Sequence, residues 1–302
     1  MLLVNGAVVV HSVLLLHRQS SWRHTDDIVA HLSDEDPSNR RRAVGELRHR
    51  RDDPEALRGL VKALEDELPE IRESAVWSLR DRRDDPQAVR GLVKALENEL
   101  PKIRGIAAYV LGGATSQAGP AADGLVVATR DADPDVRATA ILALEKLAVR
   151  SEAVTRAMLA RIDDPDGRVR LFAQGAVTDT IADLRPEGGD ARAAPIAQTL
   201  AAAWRDGRQD VRRFVARVLP KTGIATEATA GTLLALLDDP DETVRMFAEL
   251  GLMDMVSASP ALAPMVERGA ADMPEEQTRR LLRFLRERRA GEAIERPNPG
   301  GG

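Results

Sequence analysis

The side chains that most often transfer protons or bind metals are confined to one end of this chain. Cysteine is absent from all 302 residues, so thiolate chemistry and disulfides are excluded. No His-Glu-x-x-His or Gly-x-Ser-x-Gly sequence is present, so no zinc-protease or serine-hydrolase motif marks an active site. We therefore predict no catalytic residue, no metal site and no cofactor. All five histidines lie in the first 49 residues, at His11, His17, His24, His31 and His49.

Arginine is the chemically capable side chain that recurs along the chain at regular spacing. An arginine with alanine or valine three residues on, and leucine or valine seven residues on, occurs seven times. Successive copies lie 32, 32, 33, 33, 42 and 33 residues apart, a period typical of helical-repeat proteins. These anchor arginines are Arg40, Arg72, Arg104, Arg137, Arg170, Arg212 and Arg245.

Two interpretations of the anchor arginines follow from the chemistry of guanidinium. Its fork of donors fits phosphates, carboxylates and carbonyls, so the anchors could form a row of phosphate-binding groups or a row of structural contacts. Each anchor lies beside an apolar stripe, and several follow an aspartate by one helical turn. From there an arginine reaches an aspartate or a carbonyl of the neighbouring repeat. We therefore predict a structural ladder of anchors.

Paired helices must position these arginines. The positions one before, three after and seven after the anchor are apolar in nearly every copy, with Asn39 as an exception, and this spacing is one face of a helix. A second apolar run, such as residues 56–64, precedes each anchor helix. Proline at the first helical position occurs at Pro37, Pro69, Pro101 and Pro134. Aspartates able to cap the anchor helices stand at Asp36, Asp133, Asp166 and Asp241.

Neither helix of a pair can bury its apolar face alone, so the pairs must stack. We predict an all-α fold, an α-solenoid of about seven to eight stacked helix pairs. The pattern resembles HEAT repeats, and the Leu-x-Asp-Pro-Asp-x-x-Val-Arg sequence at 237–245 resembles the short bacterial, bilin-lyase-like (PBS lyase HEAT-like) repeat type. The resemblance covers residues 25–289. It implies the fold more strongly than a function, because HEAT arrays serve many unrelated tasks.

The segment before the repeats, residues 1–24, contains a 15-residue apolar run at 2–16. A membrane-spanning helix needs about 20 apolar residues, and a signal peptide carries its basic residues before the apolar run, not after it. We favour a flexible or mis-started extension. A cap packed on the first repeat and a membrane or export signal stay open as alternatives. For the rest of the chain we expect no stable membrane span and a cytoplasmic location.

Three further segments depart from the repeat. The 42-residue step indicates an insertion at 183–195, rich in glycine, proline and polar residues, which we interpret as a surface loop. The glycine-rich stretch 112–120 lacks the spacing of a phosphate-binding loop and is predicted to be a connection. Residues 290–302 are expected to be a disordered tail after the repeat solenoid at 25–289.

The face of each anchor helix opposite the apolar stripe is where we expect a partner to bind. The fifth position after the anchor lies about 200° from the centre of that stripe. In stacked pairs this face would line a concave surface, unless curvature or the N-terminal segment covers it. Exposed apolar clusters mark interaction sites, and Trp, Tyr and Arg dominate binding energies. The predicted binding ridge is Trp77, Tyr109, Leu142 and Leu171, with Arg41, Arg213 and Arg217 towards its ends.

These observations predict a non-enzymatic scaffold that binds a protein or peptide on its concave face. The net charge is −5, with 30% charged residues of both signs, which argues against nucleic acid as the partner. The alternative follows from the resemblance. It is a bilin-lyase-like or DNA alkylation-repair-like HEAT protein that holds a chromophore or a duplex in the same groove.

Overall fold

The protein is all-α throughout the part of the chain that the structure describes, as predicted. The described residues form α-helices and short 3-10 segments, with no strand among them. The chain divides into two compact units, Met1–Val149 and Arg150–Gly302. The computed structural model describes residues 22, 24–184, 192–205, 207–271 and 273–295.

The described part of the first unit consists of helix pairs, each with a first helix and an anchor helix. The anchor helices pack on one another in chain order, and the first helices do the same, which gives two layers. The first helices are α1 (Thr25–Ala30), α3 (Pro54–Ala63), α5 (Pro86–Ala95) and α7 (Ala118–Ala128). The anchor helices are α2 (Pro37–Arg48), α4 (Pro69–Leu79), α6 (Pro101–Leu111) and α8 (Pro134–Leu147).

The second unit repeats this two-layered arrangement with helices of less regular length. Its anchor helices again pack in succession, as do its first helices. The first helices are α9 (Glu152–Leu159), α11 (Ala193–Ala203), α13 (Glu227–Leu236) and α15 (Ala263–Ala271). The second helices of the pairs are α10 (Gly167–Ala182), α12 (Gln209–Val218), α14 (Glu242–Ala258) and α16 (Glu275–Glu295).

Local sequence explains where the helices begin. The predicted caps are confirmed, because the carboxylates of Asp36, Asp133, Asp166 and Asp241 each accept a backbone N–H of the first turn. Side-chain acceptors of this kind satisfy donors that have no partner inside the helix. Proline occupies the first position of α2, α4, α6 and α8, where its missing N–H costs no hydrogen bond.

The apolar stripe of the anchor helices is the core of each unit. In α4 the stripe consists of Ile71, Ala75 and Leu79, and none of these side chains is accessible to solvent. The small residue three positions after the anchor is fully buried in all seven copies, which lets neighbouring anchor helices approach closely. These residues are Ala43, Ala75, Ala107, Ala140, Ala173, Val215 and Ala248.

The end of the N-terminal segment packs against the first repeat. The side chain of Trp22 is buried, and its ring stacks on that of His31 with a centroid distance of 4.4 Å. The guanidinium carbon of Arg42 lies 4.6 Å from the Trp22 ring centroid, and Arg50 Nη2 donates to the Trp22 carbonyl oxygen at 3.1 Å. These contacts hold Trp22 against the first repeat. Residues 1–21 lie outside the described residues.

Three other predicted boundaries shift. The connection at 112–120 is shorter than predicted, because α7 begins at Ala118. The insertion at 183–195 ends earlier than predicted, because α11 begins at Ala193, and residues 185–191 lie outside the described residues. Helix α16 continues to Glu295, inside the expected tail at 290–302, and residues 296–302 also lie outside. Among the described helices, none has the length and apolar character needed to cross a membrane.

Candidate functional site

The anchor arginines fold back onto the loop that precedes their own helix. Arg72 Nη1 donates to the carbonyl oxygens of Asp66 and Glu67, at 2.7 and 3.1 Å. The carbonyls six and five residues before the anchor accept from Nη1 in the same way at Arg40, Arg104, Arg137, Arg170 and Arg245. Arg212 Nη1 donates to the Gly207 carbonyl oxygen at 2.9 Å. The sequence pattern predicts aspartates or carbonyls of the neighbouring repeat as acceptors, whereas these carbonyls belong to the anchor's own repeat.

The neighbouring repeat contributes carboxylates. Arg104 binds Asp131 through two parallel hydrogen bonds, Nε to Oδ2 at 2.6 Å and Nη2 to Oδ1 at 2.7 Å. Arg40 Nε donates to Asp66 Oδ2 at 2.9 Å, with both side chains more than nine-tenths buried. The hydrogen bonds that the two arginines donate to these carboxylates raise the pKa of both arginines. The donors are therefore occupied by protein acceptors, which supports a structural ladder over a row of phosphate-binding groups.

One position breaks this pattern. Each of these carboxylates stands six residues before the next anchor, and in the third repeat that residue is Asn98. The Asn98 Oδ1 atom accepts the Leu100 N–H at 3.0 Å, so its single oxygen is already engaged. Arg72 Nη2 pairs instead with Glu99, and the buried Arg72 Nε atom has no hydrogen-bond partner in the described structure. The ladder is thus incomplete between the second and third repeats.

The Arg-Arg-Asp-Asp linkers form inter-repeat contacts that the sequence reasoning did not identify. Arg82 is buried and donates through Nη2 to carbonyl oxygens near the C-terminal end of α2. Arg83 Nε donates in the other direction, to the Gly113 carbonyl oxygen at 2.7 Å. A Cβ atom at Gly113 would lie 2.5 Å from Arg83 Nε, so this contact needs glycine. The Asp84 carboxylate accepts a backbone N–H after α6. The same four residues at 50–53 and 82–85 are the sequence feature from which these contacts could have been predicted.

Trp77, Tyr109 and Leu142 lie on solvent in the first unit, on three successive anchor helices. Their exposed fractions are 36%, 51% and 43%, which places them among the exposed large apolar side chains. The Trp77 and Tyr109 rings contact each other with a centroid distance of 5.8 Å and an interplanar angle of 59°. Lys146 Nζ lies 6.0 Å from the Tyr109 ring centroid, within the range of a cation–π contact. We call these three side chains the aromatic ridge.

The charged residues around the aromatic ridge divide into paired and unpaired groups. Glu73, one turn before Trp77, binds Lys102 Nζ at 2.8 Å. Asp81 binds Arg51 Nη2 at 2.9 Å. Arg41, Arg48 and Arg80 are exposed, and within the described residues their guanidinium groups form no salt bridge or side-chain hydrogen bond. Arg41, Arg48 and Arg80 are therefore cations on this face that no described carboxylate neutralises.

The second unit carries the remaining residues of the predicted ridge. Leu171 is 66% exposed, and Arg217 is also exposed. Arg213 was predicted to bind a partner, but its Nη2 donates to Asp241 Oδ2 at 2.6 Å, so it bridges two repeats. That hydrogen bond, helped by one from Gln209, holds the pKa of Asp241 well below its usual value. Met246 and Leu250 add exposed apolar surface at the equivalent positions of α14.

Nothing in the described ranges groups three His, Asp or Glu side chains so that they could hold a metal ion. The family model described as HEAT repeats matches residues 25–112 and 89–178. None of the curated proteins compared with the chain matches it.

Several solved structures are similar to the chain at low identity. An engineered protein matches at 18% identity and a TM-score of 0.47, over 91% of this chain and 79% of its own. The complex of CpcE and CpcF of phycocyanin lyase from Nostoc sp. PCC7120 matches at 18% identity and a TM-score of 0.41, over 87% of this chain and 94% of its own. A designed armadillo repeat protein in complex with the peptide (KR)4 matches at 18% identity and a TM-score of 0.40, over 76% of this chain and 98% of its own. Since the HEAT-repeat model spans residues 25–178, more than half of the 302 residues, the chain belongs to the HEAT-repeat family.

Proposed function

We propose that this protein is a non-enzymatic scaffold that holds a protein or peptide partner on the outward face of its anchor helices. The observation that carries the proposal is the exposed contact between Trp77 and Tyr109. The chain has only three tryptophans and one tyrosine. Two of these four side chains contact each other at the solvent-exposed surface and not in a core. Aromatic side chains of this kind supply large contact areas at low entropic cost.

The surroundings of the pair support binding over packing. Leu142 extends the apolar surface onto the next anchor helix, and Lys146 lies over the Tyr109 ring. The apolar stripe on the opposite side of the same helices already forms the core, with residues such as Ala107 and Leu111 fully buried. The outward side chains are therefore not needed to hold the helices together.

The test separates binding from stability. The double variant Trp77→Ala, Tyr109→Ala is expected to abolish capture of the natural partner from an extract of the source cells, while the melting temperature stays within a few degrees. The matched control is Val127→Ala, which truncates an apolar side chain that is 71% exposed on a first helix. It should leave capture unchanged. A double variant that unfolds would contradict the proposal, because deleting packed aromatics destabilises by about 3–5 kcal/mol each.

Tryptophan fluorescence gives an earlier measurement that needs no partner. With Trp22 and Trp204 replaced by phenylalanine, the remaining emission comes from Trp77. We expect a red-shifted spectrum that iodide quenches readily, because the indole lies on solvent. A blue-shifted, quencher-resistant emission would count against an open binding face.

A further inference from the structure

The unpaired arginines lie on the same helix faces as the aromatic ridge. Arg41 and Arg48 flank Gly45 on α2, four residues before it and three after it, so all three share one face. Arg80, the residue that directly follows α4, stands three residues after Trp77 and keeps a right-handed helical backbone conformation, so it lies beside Trp77 in the same way. Since α2 packs on α4, the basic face and the aromatic ridge are neighbours.

Two glycines leave open space on this surface. Gly45 stands in α2 at the position that Trp77 occupies in α4, and a Cβ atom there would meet nothing within 4 Å. Gly105, one turn before Tyr109, would bring a Cβ atom no closer than 4.0 Å to a neighbouring side chain. Glycine inside a helix is less stable than alanine, and no internal contact requires it at either position. The open space therefore suits the close approach of another backbone.

We propose that the occupant of this face is an acidic peptide segment. Its carboxylates pair with Arg41, Arg48 and Arg80, its apolar side chains cover Trp77 and Tyr109, and its backbone lies over Gly45 and Gly105. This inference rests on the proposed scaffold function and adds the chemistry of the partner. Charge complementarity carries it, since the carboxylates of Glu73 and Asp81 are already paired and the three arginines are not.

A peptide fits the surface better than a nucleic acid does. A duplex would bring a dense row of phosphates against a face that also holds Glu73 and Asp81, and the whole chain has a net charge of −5. Nucleic-acid sites instead concentrate positive charge along the backbone path. Three arginines beside exposed aromatic rings suit a few carboxylates spaced by apolar residues.

The experiment uses the full chain and three fluorescein-labelled peptides of eight residues. They alternate leucine with glutamate, glutamine or lysine, and affinities are measured by fluorescence anisotropy. The glutamate peptide should bind at least tenfold more tightly than the lysine peptide, with the glutamine peptide between them. Equal affinities, or a preference for the lysine peptide, would overturn the inference. A 12-base-pair duplex that binds more tightly than the glutamate peptide would overturn it in favour of nucleic acid.

Matched triple variants locate the charge effect. Arg41→Gln, Arg48→Gln, Arg80→Gln should weaken binding of the glutamate peptide at least tenfold and leave the glutamine peptide unaffected. The control removes the same charge from two first helices and the turn after a third, with Arg58→Gln, Arg90→Gln, Arg130→Gln, and should change neither affinity by more than about twofold. If both triple variants lose the same affinity for the glutamate peptide, the effect comes from the net charge of the protein and not from these three arginines, and the inference is overturned.

A glycine variant tests the close approach without any change of charge. Gly45→Leu should weaken binding of the glutamate peptide at least fivefold while the melting temperature is unchanged or higher, because leucine favours the helix. Gly119→Leu is the control, since Gly119 is also in open space but on a first helix. Unchanged affinity in Gly45→Leu would show that the peptide backbone does not lie over Gly45 and would contradict this part of the inference.

The outcomes also separate this inference from the scaffold function on which it rests. If the glutamine peptide binds, and binding requires Trp77 and Tyr109 but not the arginines, the scaffold function stands and the acidic partner is wrong. If no peptide binds in a manner that depends on Trp77 and Tyr109, the acidic partner is wrong, and the capture experiment with the double variant then decides the scaffold function.

Discussion

Two anchor arginines, Arg104 in the first unit and Arg170 in the second, bind different partners, whereas Arg212 of the second unit binds Asp239 with the same 27-residue separation as Arg104 and Asp131. In the first unit Arg104 binds Asp131, 27 residues on, with a side-chain exposure of 14% for the arginine and 10% for the aspartate. In the second unit Arg170 binds Asp210, 40 residues on, and that aspartate is 46% exposed. The separation is longer because of the insertion between these repeats and because Asp210 stands two residues before its anchor, whereas Asp131 stands six residues before its own. The contact to the preceding loop is the same in both, since Nη1 of each arginine donates to two carbonyls of its own repeat.

This difference separates the two roles of the anchor. Backbone carbonyls are present in any sequence, so the contact within a repeat survives changes of composition and spacing. The contact between repeats needs a carboxylate at one position of the next loop, so an insertion or a single substitution changes it. We infer that the anchor first closes its own helical hairpin and then, where a carboxylate is available, joins the next repeat.

The largest expected effect comes from deleting the anchor in each unit. Arg104→Ala should lower the free energy of unfolding by about 3 kcal/mol, because it leaves the Asp131 carboxylate, only 10% exposed, without its arginine partner. Arg170→Ala should cost about 1 kcal/mol, because it loses loop hydrogen bonds and a pair with an exposed partner. Urea unfolding followed by circular dichroism measures both. The outward Arg58→Ala is the baseline, at about 0.5 kcal/mol or less. Equal losses at all three sites would contradict the ladder.

A smaller effect is expected at the break in the first unit. Asn98→Asp should stabilise by about 1 kcal/mol, because it offers the unpartnered Arg72 Nε a charged acceptor and keeps the hydrogen bond from Leu100. The reciprocal Asp66→Asn should destabilise by a similar or larger amount, because the pair with Arg40 is buried. The two sites have the same flanking residues, Leu-Glu before and Glu-Leu after. Changes of the same sign would show that the amide does not interrupt the ladder.

The smallest effect is the dependence of the ladder on pH. Burial raises the pKa of Asp131. The hydrogen bonds that it accepts from Arg104 and from a backbone N–H lower the pKa by more than burial raises it, so the pKa falls below the ordinary 3.8. The unfolded carboxyl therefore binds a proton first, and the pairing contributes fully above about pH 5 and is lost progressively as the pH falls through the folded-state pKa. When urea unfolding is measured between pH 3 and 6, the free energy of unfolding should depend less steeply on pH for Asp131→Asn than for the parent protein. Identical slopes would contradict this assignment.

The local sequence by itself determined the helix pairs, their caps and the outward position of the ridge. Asp133 caps α8 because a carboxylate reaches N–H groups two and three residues on, and Tyr109 faces outward because helical geometry turns it away from Ile103 and Ala107. Such features depend on residues within one or two turns. Spacing along the chain is then enough to predict them.

Only the tertiary structure decided which distant groups meet. Arg82 reaches carbonyls at the end of α2, Trp22 stacks on His31, and Arg213 is held by Asp241. The chain contains 48 acidic side chains, and its sequence does not show which of them a given arginine faces. That choice depends on the distance and rotation between packed helices, and these are set by side-chain volumes along the whole interface. The missing partner of Arg72 Nε is visible only once the helices are in place.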